Sequence, residues 1–170
     1  MSTYKRSGVR PLLRAVLSAV AVVILSVAVM PESQASHYYL TDVGWFSTEQ
    51  MISLRDGGIQ TTEHLLAATV TADSRKKLAT QLSVDEAKVL EMARECELLQ
   101  INGVGPKVVK LLQAAKVTGL DDLGGRKAAK LLKELVAINA KDKITEKDPS
   151  VEMVTYWIDQ AKTASVRVAL

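Results

Sequence analysis

The apolar residues of this chain recur at helical spacing over most of its length. In the segment 85–99 four of them stand three or four positions apart, and acidic residues fill the first turn. These apolar residues are Val89, Met92, Ala93 and Cys96. The pattern predicts a helix with one buried face, and Ser83 is expected to be its N-cap.

The second half of the chain contains three more helical patterns. Pro106 suits the first turn of one helix, because proline has no N–H group to leave unpaired there. The faces predicted to be buried in this helix and the next are Val108, Val109, Leu111 and Leu112, and then Leu131, Leu132, Leu135 and Val136. A charged, aperiodic stretch between Ala140 and Pro149 predicts a linker. Ser150 then caps a closing helix, in which Trp157 is predicted to anchor the core.

The chain also contains an internal repeat. Residues 51–65 match residues 109–123 at a constant offset of 58, and both segments encode a short helix, a turn and a helix start. Residues 77–82 resemble 130–135, and residues 84–94 resemble 151–162 once small gaps are allowed. Only 4% of the residues are aromatic, and the apolar ones are mostly Leu, Val and Ala. We therefore predict an all-α fold, a compact helical domain built from two diverged repeats.

The first 35 residues have the features of an export signal. Four basic residues precede an uncharged run from Ala15 to Met30, and the small residues at 33–35 suit a cleavage site after Ala35. An uncleaved membrane anchor is the alternative, but the run is shorter than the ~20 residues that a spanning helix needs. We expect export to the periplasm or cell exterior, or to the thylakoid lumen in a cyanobacterium. The mature chain is expected to have no stable membrane span.

Cleavage of this leader changes the charge of the chain. The whole sequence has 22 Lys and Arg against 19 Asp and Glu, and the leader holds four of the basic residues and one acid, which leaves a neutral mature protein. The alkaline pI is therefore no indication of nucleic-acid binding. A local basic stretch does remain in the second half. It consists of Lys107, Lys110, Lys116, Arg126, Lys127, Lys130 and Lys133, with Asp121 and Asp122 among them.

Catalytic and metal-binding patterns are not evident in the sequence. The single cysteine, Cys96, permits no internal disulfide and no cysteine-based zinc site, and we expect it to pack in the core. His37 and His64 are far apart, and their spacing suggests no acid or nucleophile for either of them. We expect a protein that is not an enzyme, with no cofactor and no metal site.

The turn from Ile101 to Lys107 carries the clearest chemical signal. Two glycines in it permit backbone angles and close approaches that side chains would block, and their N–H groups can point outward. The start of the next helix adds unpaired donors and the positive end of its dipole. The candidate phosphate-binding or DNA-binding residues are Gly103, Val104, Gly105, Lys107 and Lys110. In the alternative interpretation, the glycines only form a tight corner between packed helices and the lysines are solvated.

The residues from Leu98 to Lys107 resemble the helix-hairpin-helix motif of DNA repair, recombination and competence proteins. This resemblance implies binding of the phosphodiester backbone, without reading of sequence, by Gly103, Val104, Gly105 and Lys107. Val109 stands where the motif commonly has a small alanine. In the first repeat the corresponding turn, Asp42 to Thr48, keeps one glycine and no lysine, so we expect it to retain the fold without the phosphate site.

The region from Thr41 to Ala164 also resembles a family of uncharacterised bacterial proteins built from paired helix-hairpin-helix-like repeats. Its marks in this chain are residues 103–107 and the late segment Tyr156 to Lys162. The predicted organisation is a signal peptide (1–35), a first helical repeat with a degenerate hairpin (36–99), a second helix-hairpin-helix repeat with a closing helix (100–164) and a tail (165–170).

Two functional hypotheses follow from this organisation. The first is an exported, non-catalytic protein-interaction or scaffold module with an unknown protein partner. The extrinsic photosystem subunit of cyanobacteria is one such exported helix-hairpin-helix protein. The second is sequence-independent binding of the DNA backbone outside the cytoplasm, through the hairpin at Gly103, Val104 and Gly105.

Overall fold

Helices make up the regular structure of the protein, as seen in a computed structural model that describes residues 37–165 and residue 168. The predicted signal peptide and most of the predicted tail lie outside these residues. The helices are α1 Leu40–Val43, α2 Thr48–Asp56, α3 Thr62–Ala67, α4 Ala72–Leu82, α5 Glu86–Leu98, α6 Pro106–Ala114, α7 Leu120–Gly125, α8 Ala128–Asp142 and α9 Val151–Thr163. The described residues contain no strand, only an isolated antiparallel bridge between Tyr39 and Thr61. The predicted all-α fold is confirmed.

The helices of the two halves match closely in position. The bounds of α6 and α7 lie 58 residues after those of α2 and α3, which is the offset of the sequence repeat. Helix α9 matches α5 in length and lies 65 residues after it. Equivalent positions are buried alike, since Leu54 and Leu65 of the first half correspond to Leu112 and Leu123 of the second, and all four are fully buried.

The buried apolar residues form two clusters that follow the two halves. The first cluster extends from Leu40 to Cys96 and also includes Val168, whereas the second extends from Leu98 to Ala161. The change occurs within the last turn of α5, which therefore lies between the two cores. This position explains why two acidic residues of that turn, Glu95 and Glu97, are buried.

The first described residues connect the two clusters. Tyr38 and Thr62 exchange two hydrogen bonds, from the Tyr38 N–H to Thr62 Oγ1 (3.2 Å) and from the Thr62 N–H to the Tyr38 carbonyl (2.9 Å). The Tyr38 ring packs on the second cluster, and Val43 and Trp45 pack on both. The halves therefore share side chains as well as a chain connection.

Several predicted details are confirmed and others need correction. Pro106 opens α6, the Ser150 hydroxyl caps α9 by accepting from the Met153 N–H, and Cys96 is buried. The prediction that Ser83 caps α5 is wrong. Ser83 instead ends α4 in the left-handed conformation, and α5 begins after Asp85. The predicted linker is shorter than expected, because α8 continues through Asp142.

The linker after α8 is held by a buried side chain. Asn139 donates from Nδ2 to Asp148 Oδ1 (2.8 Å) and accepts from the Thr145 N–H at Oδ1 (2.8 Å). The charged residues of the linker are thus anchored to the last turns of α8. Because this anchoring residue is a single buried amide, charge and periodicity along the sequence gave no indication of it.

Residue 168 belongs to the segment predicted to be a tail. Its side chain is nevertheless buried in the first cluster, and the Val168 N–H donates to Glu97 Oε1 (3.0 Å). Among the described residues, no helix has the length and apolar character required to cross a membrane.

Candidate functional site

The second hairpin turn is short and mostly closed by its own backbone. The Ile101 N–H donates to the Leu98 carbonyl (3.1 Å), and the Val104 N–H donates to the Ile101 carbonyl (3.0 Å). Gly103 has a φ of +82°, a left-handed conformation that a side chain would strain. Val104 is buried and its N–H is already bonded, so this residue is removed from the predicted set of free donors.

The start of α6 leaves several backbone donors free. Gly105 is the N-cap residue, and because it has no side chain, no side-chain oxygen caps the helix. Within the described part of the chain, no group accepts a hydrogen bond from the N–H of Gly103, Gly105, Lys107 or Val108. Free N–H groups at a helix start, together with the helix dipole, favour an anion.

The first hairpin has a different helix start. Gly44 ends α1 with a φ of +68°, so the turn keeps its shape. The N-terminus of α2, however, is closed by a capping box, in which Ser47 and Gln50 each accept from the other's backbone N–H through their side chains. Two of the donors that α6 leaves free, those equivalent to Gly105 and Val108, are therefore used internally in α2.

The two lysines of the predicted site have different environments. Lys107 Nζ lies 3.1 Å from Glu146 Oε1, an exposed contact with the linker after α8. Lys110 is exposed and has no ion pair among the residues that the structure describes. Lys110 is therefore the free cation of the two, and Lys107 is partly neutralised by a residue far away in the sequence.

The basic residues that precede α8 do not lie beside these lysines. Lys107 contacts the linker that follows α8, whereas Lys127 precedes the first residue of the same helix. Helix α8 has 15 residues and is about 22 Å long, so these two lysines lie at opposite ends of it. Arg126 is held by Asp122 (2.8 Å) and contacts Glu134 (3.9 Å). This geometry disperses the predicted basic face.

Two aromatic side chains lie against the glycines of the turn. A Cβ atom at Gly103 would be 3.4 Å from Trp157 Nε1, and one at Gly105 would be 3.2 Å from the Tyr38 hydroxyl oxygen. The absence of side chains at both glycines therefore leaves room for these polar groups. The φ of Gly105 is −95°, so its backbone angles do not require glycine, and the nearby tyrosine is the reason for the residue.

This contact predicts a coupling between Tyr38 and Gly105. In Gly105→Ala the new methyl group would displace the tyrosine, at an expected cost of about 1 kcal/mol of unfolding free energy. In a Tyr38→Phe background the nearest ring atom is 3.9 Å away, and the same change should be nearly neutral. Denaturant unfolding of the four proteins measures the coupling. Equal costs in the two backgrounds would show that the tyrosine is not the obstacle.

Groups elsewhere in the molecule offer less for binding. His37 Nε2 lies 3.3 Å from Glu63 Oε2, an exposed contact that residue spacing did not indicate. Burial raises the pKa of the Cys96 thiol well above its usual range. In the described residues, no three His, Cys, Asp or Glu side chains come together in a way that could hold a metal ion.

Comparison with known proteins identifies a protein family for this chain, but no individual relative. No curated protein and no solved structure matches the chain. A family model matches residues 46–164, inside the region for which the sequence predicted an uncharacterised family. The match covers well over half of the chain. The protein therefore belongs to the family described as Domain of unknown function (DUF4332).

Proposed function

We propose that this protein is an exported, non-catalytic binding module of the helix-hairpin-helix type, and that it holds a protein partner by an acidic group. Export rests on the basic and apolar pattern of the leader. The helix-hairpin-helix interpretation is supported by the succession of elements, because α5 is followed by a tight glycine turn and then by α6, which begins at Pro106. It is also supported by the matching bounds of α2 and α6.

The observation that carries the proposal is the uncapped start of α6. Four backbone N–H groups and the Lys110 ammonium group are donors without partners in the described residues, so this surface is suited to a carboxylate or a phosphate. The capping box of α2 uses two of the equivalent donors, so the first half offers fewer free donors at this place.

An acidic protein segment fits this surface better than duplex DNA does. DNA binding needs many cations along one face. Here Lys107 and Arg126 are already paired, and the lysines at the start of α8 are far from the hairpin. Helix α9, which also places Trp157 against the hairpin, exposes Met153 and Tyr156 one helical turn apart. Exposed apolar residues of this kind are typical of protein interfaces.

DNA-backbone binding is the second candidate, and the same free donors support it. Phosphate oxygens accept from helix N-termini in many DNA complexes, without reading of sequence. A single hairpin with one free lysine would give weak binding with a shallow dependence on salt, because few counterions would be released.

Fluorescence anisotropy with two labelled probes tests these candidates. The probes are a polyglutamate peptide and a random-sequence duplex DNA, each measured at several salt concentrations. We expect the peptide to bind, and Lys110→Glu to weaken its binding about tenfold. Glu146→Gln should strengthen binding, because it releases Lys107 from its ion pair.

Lys130→Glu provides the matched control for charge. Lys130 is exposed and lies near the start of α8, at the end of that helix away from the hairpin, so this variant should bind like the wild type. Tighter binding of DNA than of peptide, with a salt dependence that Lys110→Glu reduces, would favour the second candidate. Binding of neither probe would overturn both candidates.

A further inference from the structure

We propose that the indole N–H of Trp157 is an additional donor of the hairpin site, and that the indole and the glycine turn together hold a single oxyanion, either a carboxylate or a phosphate group. This inference rests on the proposed function, because it identifies the group that the site binds and a residue that binds it.

The position of Trp157 is fixed by the core. The residue is 1% exposed and belongs to the second cluster, together with Val154, Ile158 and Ala161 of the same helix. Its Nε1 atom is the nearest atom to the place where a Cβ would stand at Gly103, at 3.4 Å. That place is one bond from the Gly103 Cα, so the indole nitrogen lies directly against the turn.

The indole N–H has no acceptor among the residues that the structure describes. None of the hydrogen bonds among the described residues involves Trp157 Nε1, although buried tryptophans usually place this group on a partner. The one fully enclosed side-chain nitrogen or oxygen without a partner in the described region is Arg75 Nε. Trp157 Nε1 is not a fully enclosed atom of this kind, and it lies beside the turn without a described acceptor.

Gly103 is needed at this place for two reasons. Its left-handed conformation closes the turn, and the absence of a side chain keeps the space in front of the indole nitrogen open. Any other residue would place a methyl group at that position. Free backbone N–H groups and an indole nitrogen therefore lie close together at this turn.

The first half of the protein lacks both parts of this arrangement. The bounds of α5 and α9 align at an offset of 65, which places Met92 at the position of Trp157. A methionine side chain has no N–H to donate. The indole donor thus occurs in the second half, where α6 has no side-chain cap. In the first half, where Ser47 and Gln50 cap α2, the equivalent residue is apolar.

Proton–nitrogen NMR on the purified protein tests the inference directly. The chain has two tryptophans, so its spectrum has two indole N–H resonances, which Trp45→Phe and Trp157→Phe assign. Inorganic phosphate and acetate are titrated separately. We expect the Trp157 indole and the Gly103 and Gly105 amides to shift with one common midpoint, while the Trp45 indole stays in place. The anion with the lower midpoint identifies the preferred group, phosphate or carboxylate.

The possible outcomes show whether this inference fails alone or together with the proposed function. If the glycine amides shift and the Trp157 indole does not, the anion site stands and the indole is not part of it. If no resonance of the hairpin moves, both are wrong. Equal shifts of the two indoles would show non-specific binding and also overturn the inference. Trp157→Phe keeps a ring in the core, and we expect it to weaken anion binding about tenfold.

Discussion

Replacing Trp157 by alanine is expected to lower the free energy of unfolding by about 3–5 kcal/mol. The side chain is buried in the second cluster, and its removal would leave a cavity beneath the hairpin turn. Because domains of this size are stable by only about 5–15 kcal/mol, this is a large part of the total. Denaturant unfolding measures the effect, with an unchanged slope showing that the same cooperative unit unfolds.

The neighbouring residue provides the control for this substitution. Tyr156 lies on the same helix and is 43% exposed, so Tyr156→Ala removes an aromatic ring of similar size without opening a core cavity. We expect it to change stability by about 0.5 kcal/mol or less. Similar costs for the two variants would mean that Trp157 is not the anchor that its burial indicates.

Replacing Glu95 by glutamine is expected to stabilise the protein at neutral and alkaline pH. Glu95 is 5% exposed, lies in the turn of α5 between the two cores, and accepts a hydrogen bond from the Gln113 side chain on α6. Burial raises the pKa of its carboxyl group from 4.5 to about 7, against a smaller lowering by the Gln113 hydrogen bond. The charged form is therefore disfavoured in the folded protein.

The sign of the pH dependence follows from this shift. Well below pH 4.5 the carboxyl group is protonated in both the folded and the unfolded state, and its ionisation has no cost. As the pH rises from there to about 7, the unfolded state loses the proton first, so the contribution of this group to stability falls. The full loss is roughly 3 kcal/mol, because one pKa unit corresponds to about 1.4 kcal/mol.

Unfolding measurements at about pH 5 and pH 8 test this expectation. Glu95→Gln should be more stable than the wild type at the higher pH, and most of this difference should be gone at the lower pH. Glu86→Gln is the matched control at the start of α5, where the side chain is exposed, and it should leave the wild-type pH difference in place. A Glu95→Gln variant with the wild-type pH difference would show that the carboxyl group is solvated.

Local sequence patterns predicted the helices and the turn because these depend on neighbouring residues. The spacing of Val89, Met92 and Cys96 marks one face of a helix wherever it packs, and Pro106 marks a helix start by its own geometry. Ser83 shows where such reasoning fails. The residue lies in the short segment between α4 and α5. It is the C-cap of α4 and not the N-cap of α5.

Several residues of the site are brought together by contacts between parts of the chain that are distant in sequence, and these contacts could not be predicted. Glu146 reaches Lys107 across 39 positions, and Tyr38 meets Gly105 from the other half of the chain. No pattern along the sequence marks either contact. Glu95 was also missed, because an acidic residue on a helix is expected to face solvent, and only the packing of two cores around α5 buries it.

The basic stretch of the second half illustrates the same limit for charge. Seven cations close together in sequence suggested one phosphate-binding face. Helix α8 separates part of this stretch in space, since Lys127 stands before its first residue and Lys107 contacts Glu146 of the linker that is anchored to its last turns. Charge counted along a sequence therefore overestimates the local potential wherever a long helix lies within the counted stretch.

Val43 and Trp45 pack on both hydrophobic clusters, and Tyr38 of the first half packs on the second. A single repeat made as a separate chain would expose these side chains to water. If the two halves descend from one ancestral unit, that unit would have needed a second copy of itself to cover them.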